Sequence, residues 1–226
     1  MADGPKLKLI SFVLCPFVQR AVIVLRHKSV EFDIEYIDIA NKPQWYLDKV
    51  PTGKVPALFV GDEVLFESAI INEYLDETTP PPLLATDPWT RAQQRAWINY
   101  SDQLLMGQYA MMTAQNEDEL NERKEKLIAT ALPLAEQVKG PYFSGADFGL
   151  VDAAVAPFLM RLSLLPSVKD ELLSRAPTDS AFGPWMDRLL NLDTVKGSVK
   201  PEFPELWKAF FKERGVTLSL AGEQHD

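Results

Sequence analysis

Before Thr78 apolar and polar positions alternate in short runs; beyond it apolar residues recur at the three-to-four spacing of amphipathic helices. LKLISFV (7–13) alternates loosely and predicts a strand. Pro16 then stands at a natural first helical position, with Phe17, Ala21, Val22 and Leu25 as the apolar face of a helix. FDIEYIDI (32–39) alternates cleanly and predicts a second strand, and KPQWYLDKV a short helix ended by Pro51, Thr52 and Gly53. VPALFV, the turn Gly61-Asp62 and EVLF predict a hairpin, followed by a helix from Ser68 to Asp76. The order is βαβ, then ββα.

TTPPPLLATD is a proline-rich connector, too stiff for a helix and too polar to be buried. The expected division is a first domain over 1–79, a linker over 80–87 and an all-helical domain over 88–226. Asp87 and Pro88 form an N-cap and first helical residue for a long helix reaching Gln115. Further helices are predicted at 118–139, 150–165, 180–191 and 204–214, the last stopped by Gly215. Pro133 is expected to kink or shorten its helix, and the tail after Val216 to be loose.

Composition narrows the function class. The 226-residue chain is 46% hydrophobic and 24% charged, ordinary for a folded soluble protein. Its net charge of -9 is spread without any Lys/Arg block, so nucleic acid and anionic lipid are poor partners. The run Leu9 to Leu25 is apolar on average, but Arg20 at mid-span would cost about 2.5–3.5 kcal/mol on insertion, which argues against a transmembrane helix. The start MADGPKLK has no apolar signal core, and a single cysteine closes no intrachain disulfide; a cytoplasmic protein is expected.

That cysteine, Cys15, sits between the first strand and the helix begun by Pro16. There its sulfur would lie beside unpaired N–H groups and the positive end of a helix dipole, an arrangement that acidifies a thiol. The alternative is a buried structural cysteine. CPFV lacks a second cysteine, so a mixed disulfide at Cys15 needs an outside thiol to resolve it. Two features could form a binding site for such a thiol. Val55 could pair through its backbone with an extended peptide, and Val55-Pro56 is a bond where a cis peptide is affordable, an ordinary trans proline being the alternative. Glu67 and Ser68 precede a helix whose free N–H groups suit a carboxylate, with plain helix capping as the alternative.

The ordered set CPF, NKP (41–43), KVPAL (54–58) and FES (66–68) resembles the glutathione transferase superfamily, and within it the cysteine-type, omega-like members. The resemblance spans nearly the whole chain. It implies an α+β thioredoxin-like N-terminal domain followed by an all-α domain. It also implies Cys15 as the nucleophile that forms a mixed disulfide with glutathione and Phe17 as part of the same turn. Lys42 would lie near the glycyl end, Val55 would pair with the backbone before a cis Pro56, and Glu67 with Ser68 would hold the γ-glutamyl group. Glutathione is then a cosubstrate, with no tightly bound cofactor. FGLVDAAVAP (148–157) resembles the family's buried helix opening, but Gly149 replaces the usual Ser or Thr cap above Asp152, so a full reciprocal capping box is not expected.

In this family the second substrate sits between the domains, which suggests Met106, Tyr109 and Met112 or Met111, with Trp185 further on; such residues at helical spacing also suit a core. Arg20 and His27 read as structural, Arg20 pairing with a carboxylate, and His225 falls in the tail. No Cys/His cluster supports a metal site. The expected function is a glutathione-dependent thiol transferase or reductase, dehydroascorbate or glutathionyl-quinone reduction being variants, acting on a small electrophilic or disulfide substrate as a homodimer. Its alternatives are conjugation of glutathione to electrophiles, a non-catalytic stringent-starvation-type protein that binds RNA polymerase, and the intracellular chloride channel type.

Overall fold

A computed structural model of the chain describes residues 6 to 212. The first unit runs β1 (Leu7–Ser11), α1 (Pro16–His27), β2 (Asp33–Tyr36), α2 (Gln44–Lys49), β3 (Ala57–Val60), β4 (Glu63–Phe66) and α3 (Ser68–Thr78). Its strands form one sheet in the order β2-β1-β3-β4, with β1 and β2 parallel and the other pairs antiparallel. The parallel pair needs a crossover, which α1 supplies; the hairpin needs only Gly61 and Asp62, with Gly61 at φ 62°.

The alternation of the strands decides which side chain enters which core. Leu9 and Leu58 point into the larger core with α1 and α3, while Ile10, Ala57 and Phe59 point to the opposite face, where α2 covers them with Tyr46 and Val50. The strand expected over 32–39 forms only at Asp33–Tyr36, and its Ile34 and Tyr36 are 37% and 44% exposed. β2 is an edge strand with a single neighbour, so its register is held by pairing with β1 more than by burial.

A helical domain follows: α4 (Pro88–Met112), α5 (Glu117–Gln137), α6 (Leu150–Leu162), α7 (Pro166–Arg175), α8 (Phe182–Asn191), α9 (Asp193–Lys196) and α10 (Phe203–Lys212). Asp87 caps α4 by accepting from the Thr90 N–H at 2.8 Å, ahead of Pro88. α5 does not break at Pro133 and continues to Gln137. α7 and α9 were not expected from periodicity, α7 being restarted by Pro166 just after the predicted end of α6. The expected stop at Gly215, the tail and His225 lie outside the described residues.

α6 is apolar nearly all round and buried along its length, so it forms the centre of the helical domain. Its start is fixed by Asp152. One carboxylate oxygen accepts from the Gly149 N–H at 2.8 Å, and the other accepts from the Phe143 N–H at 2.9 Å and the Trp185 indole N–H at 2.6 Å. Only this arm of a capping box exists, as glycine has no side chain to return the bond. A side chain at 149 would begin 3.1 Å from the Leu83 carbonyl oxygen, so the close approach of the connector favours glycine there.

The connector is less free than its polarity suggests. Leu84 is buried, Asp76 accepts from the Leu83 and Leu84 N–H groups at 2.7 and 3.0 Å, and Lys28 bridges Asp76 at 2.8 Å and the Pro81 carbonyl at 2.7 Å. The chemistry of the capped helix start gives a direct test. Asp152→Ala orphans three buried N–H donors and should cost about 3–5 kcal/mol, read as a lowered urea midpoint at unchanged slope.

Candidate active site

The sheet brings four chain segments to one end. β1 and β2 run parallel, so the turn after Ser11 and the loop after Tyr36 leave the sheet on the same side. β3 runs against β1 with Ala57 opposite Ile10, so Val55-Pro56 enters there; β4 runs against β3 with Phe66 opposite Ala57, so Glu67 and Ser68 leave there too. Cys15, Lys42, Val55, Pro56, Glu67 and Ser68 therefore gather along the carboxyl end of β1.

Cys15 is the N-cap of α1, with its N–H donating to the Phe12 carbonyl at 2.9 Å and Pro16 as the first helical residue. Its thiol is half-buried and faces the Val55 carbonyl oxygen at 3.8 Å. Burial pushes the thiol pKa up; the backbone N–H groups of Val18 and Phe17, then the Arg161 and Arg20 guanidiniums, pull the other way without overcoming it. This corrects the expectation of an acidified cysteine. A helix N-terminus lowers a thiol pKa only where desolvation is smaller than the dipole effect, and here an apolar surround reverses the balance.

The Val55-Pro56 peptide is cis, and the segment before it is fixed by the Tyr46 hydroxyl, which donates to the Lys54 carbonyl. Burial pushes the Tyr46 phenol up to about 12, so it remains a donor at physiological pH. Glu67 is exposed and holds φ at 71°, a left-handed conformation that costs a non-glycine residue about 1–3 kcal/mol. No side chain caps α3, so plain helix capping does not account for Glu67 and Ser68, and the first-turn N–H groups face the site without a side-chain acceptor. Lys42 lies in the loop between β2 and α2, its Nζ 4.0 Å from where a side chain on Gly53 would begin.

Beside the sulfur is a cavity of about 350 Å³. Phe12, Cys15, Phe17 and Val55 form its wall on the first unit, and Met106, Tyr109 and Met112 of α4 with Trp207 and Phe211 of α10 form the opposite wall. Trp185 is not part of it. Its side chain is fully buried between Phe143 and Phe182 and spends its N–H on Asp152, so the expectation that it lines the pocket is wrong. Met111 also points into the core.

The wall from α10 escaped the sequence reading, and so did two polar lining residues, Gln108 and Arg161. The available signal for Arg161 was a lone cation near the end of the otherwise apolar LVDAAVAPFLMRL. Its guanidinium donates to the Leu14 carbonyl at 2.9 Å, to Gln19 Oε1 at 2.7 Å and to the Pro157 carbonyl at 2.8 Å, and packs over the Phe203 ring at 4.9 Å. It has no carboxylate partner among the described residues, and burial pulls its pKa down to about 9, which leaves it cationic at neutral pH. Arg20 does find a carboxylate, Asp102, and also donates to the Ala154 carbonyl at 2.9 Å and Ser101 Oγ at 2.8 Å. His27 stacks on Phe148 with ring centroids 4.2 Å apart, away from the cavity lining. Among the described residues no group of three or more His, Cys, Asp or Glu could hold a metal ion, and no helix is long and apolar enough to cross a membrane.

Comparison with known proteins agrees with this arrangement. The glutathione S-transferase N-terminal domain model matches residues 14–78. Glutathione S-transferase omega-1 of Sus scrofa is 32% identical over 164 residues, covering 70% of this chain and 68% of that protein. The stringent starvation protein A homolog of Haemophilus influenzae is 37% identical over 194 residues, covering 84% and 88%. The crystal structure of glutathione transferase Omega 3C from Trametes versicolor matches with a TM-score of 0.76 at 29% identity, over 87% of this chain and 90% of the other. With the sheet order, the cis proline and the helical domain already in place, the chain belongs to the glutathione transferase superfamily as an omega-like member.

Proposed function

We propose that the protein is a glutathione-dependent thiol transferase or reductase in which Cys15 is the nucleophile. The observation that carries this reading is the position of the Cys15 sulfur: at the N-cap of α1, 3.8 Å from the Val55 carbonyl, and on the wall of the cavity. Glutathione is an extended tripeptide with two carboxylates and one ammonium. Val55 before cis Pro56 offers backbone pairing, the uncapped start of α3 with Ser68 suits the γ-glutamyl carboxylate, Glu67 its ammonium, and Lys42 the glycyl carboxylate. Phe17 packs along the same turn. Glutathione is used as a cosubstrate, and no tightly bound cofactor is needed.

In the proposed cycle the Cys15 thiolate attacks the glutathionyl sulfur of a substrate disulfide. A Cys15-glutathione disulfide forms, and the substrate leaves as a thiolate that takes a proton from solvent. A second glutathione thiolate then attacks the glutathionyl sulfur, releasing oxidised glutathione and regenerating the Cys15 thiolate. One free glutathione thiol is consumed in each turnover: the glutathionyl group of the substrate and the incoming glutathione leave together as oxidised glutathione, and the proton lost by the incoming thiol balances the one taken up by the released substrate thiol. Residence in the cytoplasm and pairing into a homodimer belong to the same reading. Conjugation of glutathione to electrophiles is disfavoured because a cysteine at this position captures glutathione as a disulfide.

The 37% identity to the stringent starvation protein A homolog favours a second reading, an interaction module without catalysis. Calorimetric titration with glutathione separates them, since absence of binding assigns the chain to that class.

The nucleophile is tested by intact mass spectrometry after incubation with oxidised glutathione. The wild type should gain one glutathionyl adduct and Cys15→Ser none, with disulfide-reduction kcat/KM falling by at least ~10³ in the variant. An adduct on neither protein removes Cys15 from the chemistry. The raised thiol pKa fixes the sign of a pH profile: the thiolate fraction grows as pH rises towards the folded pKa. Alkylation of Cys15 by iodoacetamide should therefore climb through pH 8 with a midpoint above the ordinary thiol value of about 8.5. A plateau already reached at pH 7 would contradict the burial argument.

A further inference from the structure

Buried cations elsewhere in the fold are compensated: Arg20 pairs with Asp102 and Lys28 with Asp76. Arg161 is 5% exposed and is the one cation among the described residues that line the cavity, yet its bonds go only to neutral acceptors, Gln19 Oε1 and the Pro157 and Leu14 carbonyls. These use three of the five guanidinium N–H groups. The Nε–H has no partner among the described residues, and it is not one of the sealed unmatched atoms, which belong to Asn72, Gln108 and Thr194; it therefore stays accessible beside the cavity. The bonds to Leu14 and Gln19 straddle Cys15 in the sequence and hold the guanidinium against the turn that carries the sulfur. A cation taken out of water without an anion is costly, and the anion that the proposed exchange creates in this cavity is a thiolate.

We propose that Arg161 carries the negative charge of the exchange from one sulfur to the next, facing the Cys15 thiolate before attack and the substrate thiolate after it. The inference rests on Cys15 being the nucleophile of the proposed function. In the first step a bond forms between Cys15 Sγ and the glutathionyl sulfur. The bond from that sulfur to the substrate sulfur breaks, and its electron pair leaves on the substrate sulfur. One negative charge thus moves through an apolar cavity that solvates it poorly. A guanidinium already fixed there needs no reorganisation as the charge shifts, so it stabilises the transition state along with both thiolates. Arg20 is already compensated by Asp102 and is less able to do so. A counter-ion for Cys15 alone would raise the thiolate fraction but blunt each thiolate; a cation shared with the leaving sulfur makes each thiolate faster as well.

The other ionisable groups facing the sulfur are the Arg20–Asp102 pair of α1 and α4 and the phenols of Tyr46 on α2 and Tyr109 on α4; α10 adds only Trp207, Phe210 and Phe211 to the lining. The test uses the full-length protein, with Arg161→Met to remove the charge and Arg161→Lys to keep it. The pH midpoint of Cys15 alkylation by iodoacetamide should rise by about one pH unit in Arg161→Met and stay near wild type in Arg161→Lys. Single-turnover formation of the Cys15-glutathione adduct, from the mixed disulfide of glutathione and benzenethiol at pH 8, is divided by the thiolate fraction read from ultraviolet absorbance. This rate per thiolate should fall at least about tenfold in Arg161→Met and recover to within about threefold of wild type in Arg161→Lys. A rate per thiolate that is unchanged or higher in Arg161→Met overturns the proposal, as does an unchanged midpoint or a lysine variant no better than methionine, the pattern of a purely structural arginine. Should Arg161→Met fail to fold, the wild type decides. The ratio of iodoacetate to iodoacetamide alkylation rates should be at least about threefold higher at Cys15 than at free N-acetylcysteine, and an equal or lower ratio overturns the proposal. Alkylation needs no glutathione, so a missing glutathione adduct sinks the proposed function while a missing charge effect sinks this inference alone.

Discussion

α1 and α6 exchange arginines, and the geometry of the site follows from that exchange. Arg20 leaves α1 and donates to the Ala154 carbonyl on α6, while Arg161 leaves α6 and donates to the Leu14 carbonyl and the Gln19 side chain at the start of α1. A guanidinium taken out of water costs several kcal/mol unless its N–H groups are matched. Both matches are lost if either helix slides, so the exchange fixes the register of the sheet unit on the helical domain far more sharply than apolar packing, which tolerates small shifts. The Leu14 carbonyl belongs to the residue before Cys15. The turn that carries the sulfur is thus held by a side chain some 150 positions further along the chain.

The connector completes the same constraint from the other side. Lys28 at the end of α1 and Asp76 near the end of α3 are both almost fully buried and paired, and between them they bond to the backbone of Thr79, Pro81, Leu83 and Leu84. Leu83 in turn presses on Gly149 at the opening of α6. A segment that reads as a spacer is therefore clamped at both ends. The cavity has one wall on the Cys15 turn and the other on α4 and α10, so a floppy link would leave its width undefined. The clamp makes its width a fixed property of the fold.

Local chemistry was readable along the sequence, and tertiary matching was not. Pro16, the Asp87-Pro88 pair and Gly61-Asp62 act through their own backbone and marked element borders without any partner. The order of Cys15, Val55-Pro56 and Glu67-Ser68 was legible as a set, and the sheet register explains why such distant segments meet. Trp185 was misplaced because helical spacing of an aromatic cannot distinguish a cavity wall from a core, and its decisive partner, Asp152, lies 33 residues away. The direction of the Cys15 shift failed for a related reason. A dipole is written into the strand-turn-helix pattern, whereas desolvation depends on what packs over the sulfur from α4, α6 and α10. Gln108 is the extreme case, since a glutamine in a long helix gives no local sign that its carboxamide will be buried unmatched.

The apolar lining of the cavity is in conflict with ionisation of the sulfur beside it. Removing water from Cys15 disfavours the thiolate, and the counterweights are two backbone N–H groups and the guanidiniums of Arg161 and Arg20. The conflict is milder than the pKa direction alone implies. Thiolate nucleophilicity rises with pKa, with a Brønsted slope of about 0.4–0.5, so each tenfold loss of thiolate fraction is offset by roughly a threefold gain in the reactivity of what remains. A desolvated thiolate flanked by fixed cations is therefore scarce but reactive, while the disulfide it forms with glutathione is neutral at the sulfur and carries no desolvation penalty there. Apolar burial thus shifts the resting balance at Cys15 towards the thiol and, in the proposed cycle, towards the mixed disulfide. The two cations that join the domains restrain the first shift by favouring the thiolate. The same pair of arginines that sets the register of the fold therefore also moderates the electrostatics of its proposed nucleophile.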